Sequence, residues 1–255
     1  MTDAADVLKG RCLFIPRMGG NSVRAFVAAL QSAGIEASEV PPSDQRTLEL
    51  SGGHISGDEC YPVRVVLGDF LKVIETHGKD RVALFMPTTS GPCRFGQYSY
   101  YLKKVLQKLG YDGVPVLSPS SENGYDGMIV GSNGFLRTGW RAIIASDVLY
   151  RMLLRIRPYE QNPGESDEVY NRCLDDLCRV LARPGINHRI QMNMMTASLE
   201  RSRDLLRSIP VAKKKLPLIG IIGEIFCRLN EFSNQDIIRR IESYGAECWL
   251  SGITE

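Results

Sequence analysis

The chain predicts an α/β fold built on a parallel sheet. Three observations carry this. Short apolar runs of strand length alternate with longer stretches of helical periodicity. Gly, Pro, Asn and Ser punctuate the joins. The 255 residues, 44% of them hydrophobic, suffice for one large or two modest cores.

The elements follow in order. Cys12-Leu-Phe-Ile-Pro16 reads as a buried strand, and Met18-Gly-Gly-Asn21 as the turn after it. Asn21 or Ser22 caps a helix from about Val23 to Ala33, with Val23, Phe26, Val27 and Leu30 on one face. Gly34 ends it, and Ile35 to Val40 reads as the next strand. Pro62 to about Glu75 has helical spacing, with Val63, Val66, Leu67, Phe70, Leu71 and Ile74 in register. Val82 to Met86 is a buried strand, Gln97 to Leu109 a helix stopped by Gly110, and Pro115 to Leu117 a further strand. These elements form a first domain, residues 1–150.

Residues 151–215 read as a mainly helical connection, broken by Pro158 to Ser166 and continuing as helices Asp167 to Ala182 and Asn187 to Ser208. Leu216-Pro-Leu-Ile-Gly-Ile-Ile-Gly223 reads as a strongly buried strand, Ser233 to Tyr244 as an amphipathic helix, and Ala246 to Leu250 as a strand. Residues 216–255 thus begin a second α/β unit. Two strands bury too little for a parallel sheet. The expectation is a piece of a longer polypeptide, or else strands that complete the first sheet.

Charge is balanced, 31 basic against 29 acidic residues, so no nucleic-acid partner is expected. Lys213-Lys-Lys215 reads as a solvated linker. No apolar stretch reaches the roughly 18 residues of a membrane span, and Met1 to Gly10 lacks the core of a signal peptide. A cytoplasmic location follows as the expectation. Its reducing conditions make the seven cysteines core residues, reactive thiols or metal ligands rather than disulfides.

Cys60, in Ser56-Gly-Asp-Glu-Cys-Tyr-Pro-Val63, precedes a helix whose first position suits Pro62. Cys93, in Pro87-Thr-Thr-Ser-Gly-Pro-Cys-Arg-Phe-Gly-Gln-Tyr98, lies between a strand and a helix. Both fall at the carboxyl edge of the sheet, where open α/β folds bind ligands. Helix starts there favour thiolate, and the neighbouring glycines admit a bulky inorganic group. This placement alone leaves zinc, iron–sulfur and thiol chemistry open. No CxxC pair is present, which argues against zinc ribbons and thioredoxin-type sites.

Cys227 follows a strand end and is a third candidate ligand. Cys173 and Cys178 point roughly 140° apart on one helix and read as core, as do Cys12 and Cys248 in strands. Asp58 and Glu59 read as helix N-terminal charges, Arg94 as a surface or anion-orienting residue, and Tyr98, Tyr100 and Tyr101 as helix packing. Ser118 to Gly124 reads either as part of the crevice lining or as a plain loop.

Four stretches together resemble the 2-hydroxyacyl-CoA dehydratase and benzoyl-CoA reductase superfamily, in particular its activase-related, double-cubane-cluster-like branch. They are Phe14-Ile-Pro-Arg-Met-Gly-Gly-Asn21, Gly57-Asp-Glu-Cys-Tyr-Pro-Val63, the Pro87 to Tyr98 segment and Ile222-Gly-Glu-Ile-Phe-Cys-Arg-Leu-Asn-Glu-Phe-Ser-Asn234. The resemblance implies Rossmann-like domains and an iron–sulfur cluster, [4Fe-4S] or double-cubane, with Cys60 and Cys93 as the first two ligands. It places the third family cysteine in a later region, and an ordinary apolar residue where Cys227 stands.

The resemblance further implies an ATP-hydrolysing activator that supplies low-potential electrons, and an acyl-CoA or small-molecule substrate that is reduced or dehydrated. A homodimer fits the same pattern. The chain has no GxxxxGK[ST] loop, which puts ATP hydrolysis in a partner or another segment. The competing expectation is a non-catalytic α/β binding or assembly domain without a full cluster.

Overall fold

The computed structural model describes residues 7–120 and 133–254, the first two of helix 133–156 by backbone alone. In chain order the elements are β1 (Cys12–Ile15), α1 (Ser22–Ser32), β2 (Ala37–Glu39), α2 (Gln45–Gly52), α3 (Tyr61–His77), β3 (Val82–Phe85), α4 (Tyr98–Lys108) and β4 (Val116–Leu117). Then come α5 (Asn133–Ile156), α6 (Glu165–Leu181), α7 (His188–Arg207), β5 (Leu218–Ile221), α8 (Ile225–Leu229), α9 (Ile237–Ser243) and β6 (Glu247–Leu250). Packing divides them into two units. One holds Met1–Arg17 and Ile35–Ser132, the other Met18–Gly34 and Asn133–Glu255. The sequence reading draws its lines elsewhere, at 150 and 215.

The first unit is an α/β layer on a four-stranded parallel sheet of order β2-β1-β3-β4. Leu13 pairs with Ala37 on one side and Ala83 on the other, and Leu84 with Val116. All four residues of β3 are buried, as expected of a strand covered on both faces. Helix α3 begins with Pro62 in its first turn and ends at Gly78, whose φ of +80° is strained for other residues.

Helix α2 lies outside the sequence expectation, because it is short and only Thr47 and Ser51 are buried on it. A capping box holds its start. The Asp44 carboxylate accepts from the Thr47 N–H at 3.0 Å, and the Asp44 N–H donates to Thr47 Oγ1 at 3.1 Å. The helix lies so close to α3 that a Cβ on Gly68 would stand 1.9 Å from the Thr47 carbonyl oxygen. Beside it, buried Asp69 accepts from Ser43 and Thr47 hydroxyls at 2.7 Å each. Burial raises its pKa above the ordinary carboxylate value, even with these donors and Lys72 opposing the shift.

The second unit is a helical assembly with its own small sheet. Helix α1 packs on α5 and α6, α5 on α6 and α7, and α6 on α7. Strands β5 and β6 pair in parallel, Ile219 beside Cys248, and form a sheet separate from the first. Leu154, Ile221, Ile238, Cys248 and Leu250 make the core beneath it.

The expectation of a strongly buried strand at 216–223 is corrected. Leu218 is 55% exposed, Ile219 40% and Ile222 87%. With β6 as its only paired neighbour among the described residues, β5 buries just Ile221.

The helix expected from Ser233 starts at Ile237 instead. Asn230 accepts from the Ser233 N–H and hydroxyl at 2.9 and 2.8 Å, and Gln235 and Asp236 turn the chain through positive φ. Asn side chains compete with helix in this way. Helix α8 is likewise unforeseen. Glu224 starts it by accepting from the Phe226 and Cys227 N–H groups.

Arg228 then ties the strand ends together, donating to the carbonyls of Gly223, Ser251 and Gly252 at 2.8, 2.9 and 3.1 Å. The Glu224 to Asn234 stretch is thus largely turn-building chemistry. No helix among the described residues is long and apolar enough to cross a membrane.

Candidate cysteine site at the carboxyl edge of the sheet

Both singled-out loops leave the same part of the first unit. Cys60 is the residue before the first turn of α3. Cys93 holds the same position before a short 3-10 turn, Arg94–Gln97, that runs into α4. Neither side chain is spent on capping its own helix. Cys60 is half-buried, Cys93 is exposed, and both are free thiols.

The loop before Cys60 is folded by Glu59. Its carboxylate accepts from the Ser56 N–H and hydroxyl at 3.0 Å each, and from the Gly57 N–H at 3.1 Å. Desolvation opposes these donors, yet together they hold the Glu59 carboxyl below its ordinary range. Glu59 is therefore chiefly a loop-folding group for the segment before it. Gly57 takes φ +105°, which suits glycine.

The Cys93 loop leaves β3 and is held by Thr88, whose hydroxyl donates to the Gly96 carbonyl at 3.0 Å. The Gly96 N–H donates to the Cys93 carbonyl at 3.2 Å. A Cβ on Gly96 would stand 2.2 Å from the Thr89 carbonyl oxygen, so the loop closes on a glycine.

Contacts of Arg94 and Tyr101 join the loops. Arg94 Nη1 donates to the Asp58 carbonyl at 2.7 Å. The Tyr101 hydroxyl, one turn into α4, donates to the His54 carbonyl. Burial first, and then the Glu59 carboxylate, push the Tyr101 phenol above its usual pKa. Asp58 is two residues before Cys60, and Arg94 is next to Cys93. The Arg94 contact therefore brings the two cysteine segments to one place. The sequence alone reads Arg94 as a surface or anion-orienting group. Its position beside Cys93 was the available signal.

The remaining candidates fall elsewhere. Cys227 belongs to the second unit, within α8, and its N–H donates to Glu224 at 2.8 Å. Partial burial and the Glu224 carboxylate push its thiol up to about 11, which disfavours thiolate. Cys173 and Cys248 are buried, and Cys12 and Cys178 half-buried, each within a helix or strand. Tyr98 is buried against Phe95, whereas Tyr100 is 61% exposed with Lys104 over its ring. His77 stacks on Phe14. Ser118 donates to the Met86 carbonyl, and the loop beyond residue 120 lies outside the described residues.

Among the described residues, no group of three or more His, Cys, Asp or Glu side chains is placed to hold a metal ion. Two thiols on joined loops suit part of a soft-metal or iron–sulfur ligand set. No family model matches the chain, and no curated protein or solved structure matches it.

Proposed function

We propose that the chain is an iron–sulfur protein of the 2-hydroxyacyl-CoA dehydratase type, with Cys60 and Cys93 as two ligands of a [4Fe-4S] or double-cubane cluster. One observation carries the reading: the Arg94–Asp58 hydrogen bond that joins the two cysteine loops. When bound, the cluster would supply one-electron chemistry at low potential, with electrons from an ATP-hydrolysing activator and an acyl-CoA or small molecule as acceptor. The protein's own part is to present two cysteine side chains at two helix starts and to keep a guanidinium beside them. Remaining ligands would come from outside this edge, from water or another chain.

Anaerobic reconstitution with iron and sulfide tests this directly. The expected result is a broad visible absorbance with matching iron and sulfide content, lost in Cys60→Ser and in Cys93→Ser. If both variants keep the signal, the assignment is wrong.

The lack of a three-donor group among the described residues favours a second reading, a non-catalytic α/β binding or assembly domain. In that case protein purified without oxygen stays colourless and free of iron.

A further inference from the structure

Strand β5 has one paired edge and one open edge among the described residues. The Pro217 and Ile221 carbonyls accept from the Glu247 and Ser251 N–H groups at 2.9 and 3.5 Å, on the β6 side. Backbone groups alternate sides along a strand, so residues 217, 219 and 221 turn theirs to β6. Leu218, Gly220 and Ile222 therefore aim their N–H and C=O groups at the open edge. Proline inside an edge removes a donor, but Pro217 lacks its N–H on the β6 side. The open edge keeps its donors.

The side chains alternate in the same way. Ile219 and Ile221 share the core face with their partners Cys248 and Leu250. Leu218 and Ile222 stand on the opposite face with Gly220, 55% and 87% exposed. A Cβ on Gly220 would meet no atom within 4 Å, so that face is open along its length. Folded proteins blunt such an edge with a charge, a bulge or a covering element. None of residues 218–222 is charged. The charges flank them instead: Lys213, Lys214 and Lys215 before the strand and Glu224 after it, all exposed.

We propose that this edge pairs antiparallel with the same edge of a second copy, about a two-fold axis through Gly220. The register is self-complementary, as a two-fold interface requires. Gly220 meets Gly220 of the other copy, and Leu218 meets Ile222. These are the residues whose backbone groups face outward, so each such pair exchanges both of its N–H···O bonds. The exposed Leu218 and Ile222 side chains become cross-strand neighbours, and on the core face Ile219 gains Ile221 of the other copy. The sheet then runs through both copies as four strands, beyond the two that bury too little alone. Charge placement selects the antiparallel sense. It carries the two lysine runs to opposite ends, each toward Glu224 of the other copy, whereas parallel pairing sets the runs side by side. The inference concerns the second unit and stands apart from the cysteine site.

The test is sedimentation of the full chain across roughly 1–200 μM, since a strand pair is a small interface of modest affinity. A monomer–dimer equilibrium is expected, with the Leu218, Gly220 and Ile222 amides exchanging hydrogen more slowly as the dimer forms. Ile222→Lys should raise the dissociation constant at least about tenfold, because lysine on an edge opposes pairing. Its circular dichroism spectrum should not change, because the site is exposed. Leu218→Asp should act alike. The chain carrying both substitutions sets the new carboxylate opposite the new amine at each end of the pair. It should dimerise several-fold more tightly than either single variant at low salt.

The proposal is overturned if the chain stays monomeric over that range, or if Ile222→Lys leaves a dimer intact. It is also overturned if a dimer forms while the β5 amides exchange as in the monomer, which would put the interface elsewhere. A double variant as dissociated as the single ones would refute the register and the proposal with it. Protection of the β5 amides in a monomer, only on adding a peptide of about seven alternating valines and threonines, would assign the edge to a strand of another protein instead.

Discussion

Arg94 Nη1 sits 2.7 Å from the Asp58 carbonyl oxygen, a link across 36 residues of sequence that holds together the two loops bearing Cys60 and Cys93. An exposed neutral acceptor makes this bond modest in energy, about 1 kcal/mol, so its main effect is on loop geometry. Arg94→Ala should therefore leave global stability nearly unchanged. The yield of a short bifunctional thiol reagent bridging Cys60 and Cys93 should fall several-fold. Mass mapping of the cross-linked peptides reads this, and an unchanged yield would show that the loops meet without the arginine.

Thiol reactivity should separate the cysteines. Cys227, Cys12 and Cys248 are each pushed up to about 11, chiefly by burial, with Glu224, Glu36 and Glu242 adding to the effect. Below that value the thiolate fraction rises about tenfold for each pH unit. Alkylation at pH 7.5 should modify exposed Cys93 first, and the Cys227 rate should climb steeply between pH 8 and 10. Glu224→Gln removes the nearby charge and should speed Cys227. Equal labelling of Cys227 and Cys93 at pH 7.5 would contradict this ordering.

The buried arginine of the second unit should prove costly to strand. Arg157 meets both oxygens of Glu242, Nε at 2.8 Å and Nη2 at 2.9 Å, and also Asp167 at 3.1 Å. Removing Glu242 strips the buried guanidinium of its bidentate partner and leaves it only the single contact to Asp167. Urea denaturation of Glu242→Ala should show a loss of about 2–3 kcal/mol, below the full cost of a stranded charge because Asp167 stays. The double variant Arg157→Met, Glu242→Leu should lose clearly less. Equal losses would mean that the pair itself, rather than the stranded charge, dominates.

Gly68 tests the approach of α2 to α3. Alanine there places a methyl group 1.9 Å from a backbone oxygen, which a rotamer change cannot relieve. Gly68→Ala should cost about 3 kcal/mol by overpacking, although alanine is the better helix former. Gly52→Ala, whose nearest neighbour is the end of the Arg64 side chain at 4.0 Å, is the control and should cost little. A neutral Gly68→Ala would show that the two helices can part cheaply.

Much of the fold was legible because its elements are long or apolar enough to show a period. The runs at Cys12 and Val82 are largely buried strands whose neighbours are supplied by the same unit, so local pattern and tertiary demand agree. The β5 segment has equal apolar content and fails the same inference, since burial depends on what covers a strand. Helices α2 and α8 escaped because caps at Asp44 and Glu224, rather than periodicity, set them. The helix-start positions of Cys60 and Cys93 were readable from Pro62 and the surrounding turn residues.

The sequence by itself determined the parallel α/β character and the positions of the two exposed-loop cysteines, because hydrophobic period, proline and glycine act over a few residues. Tertiary structure alone decided that the Cys60 and Cys93 loops are joined, that Cys227 sits in a thiolate-disfavouring turn, and that α1 packs with α5 and α6. Those outcomes depend on contacts between groups far apart in sequence, and such contacts leave no local periodicity to read.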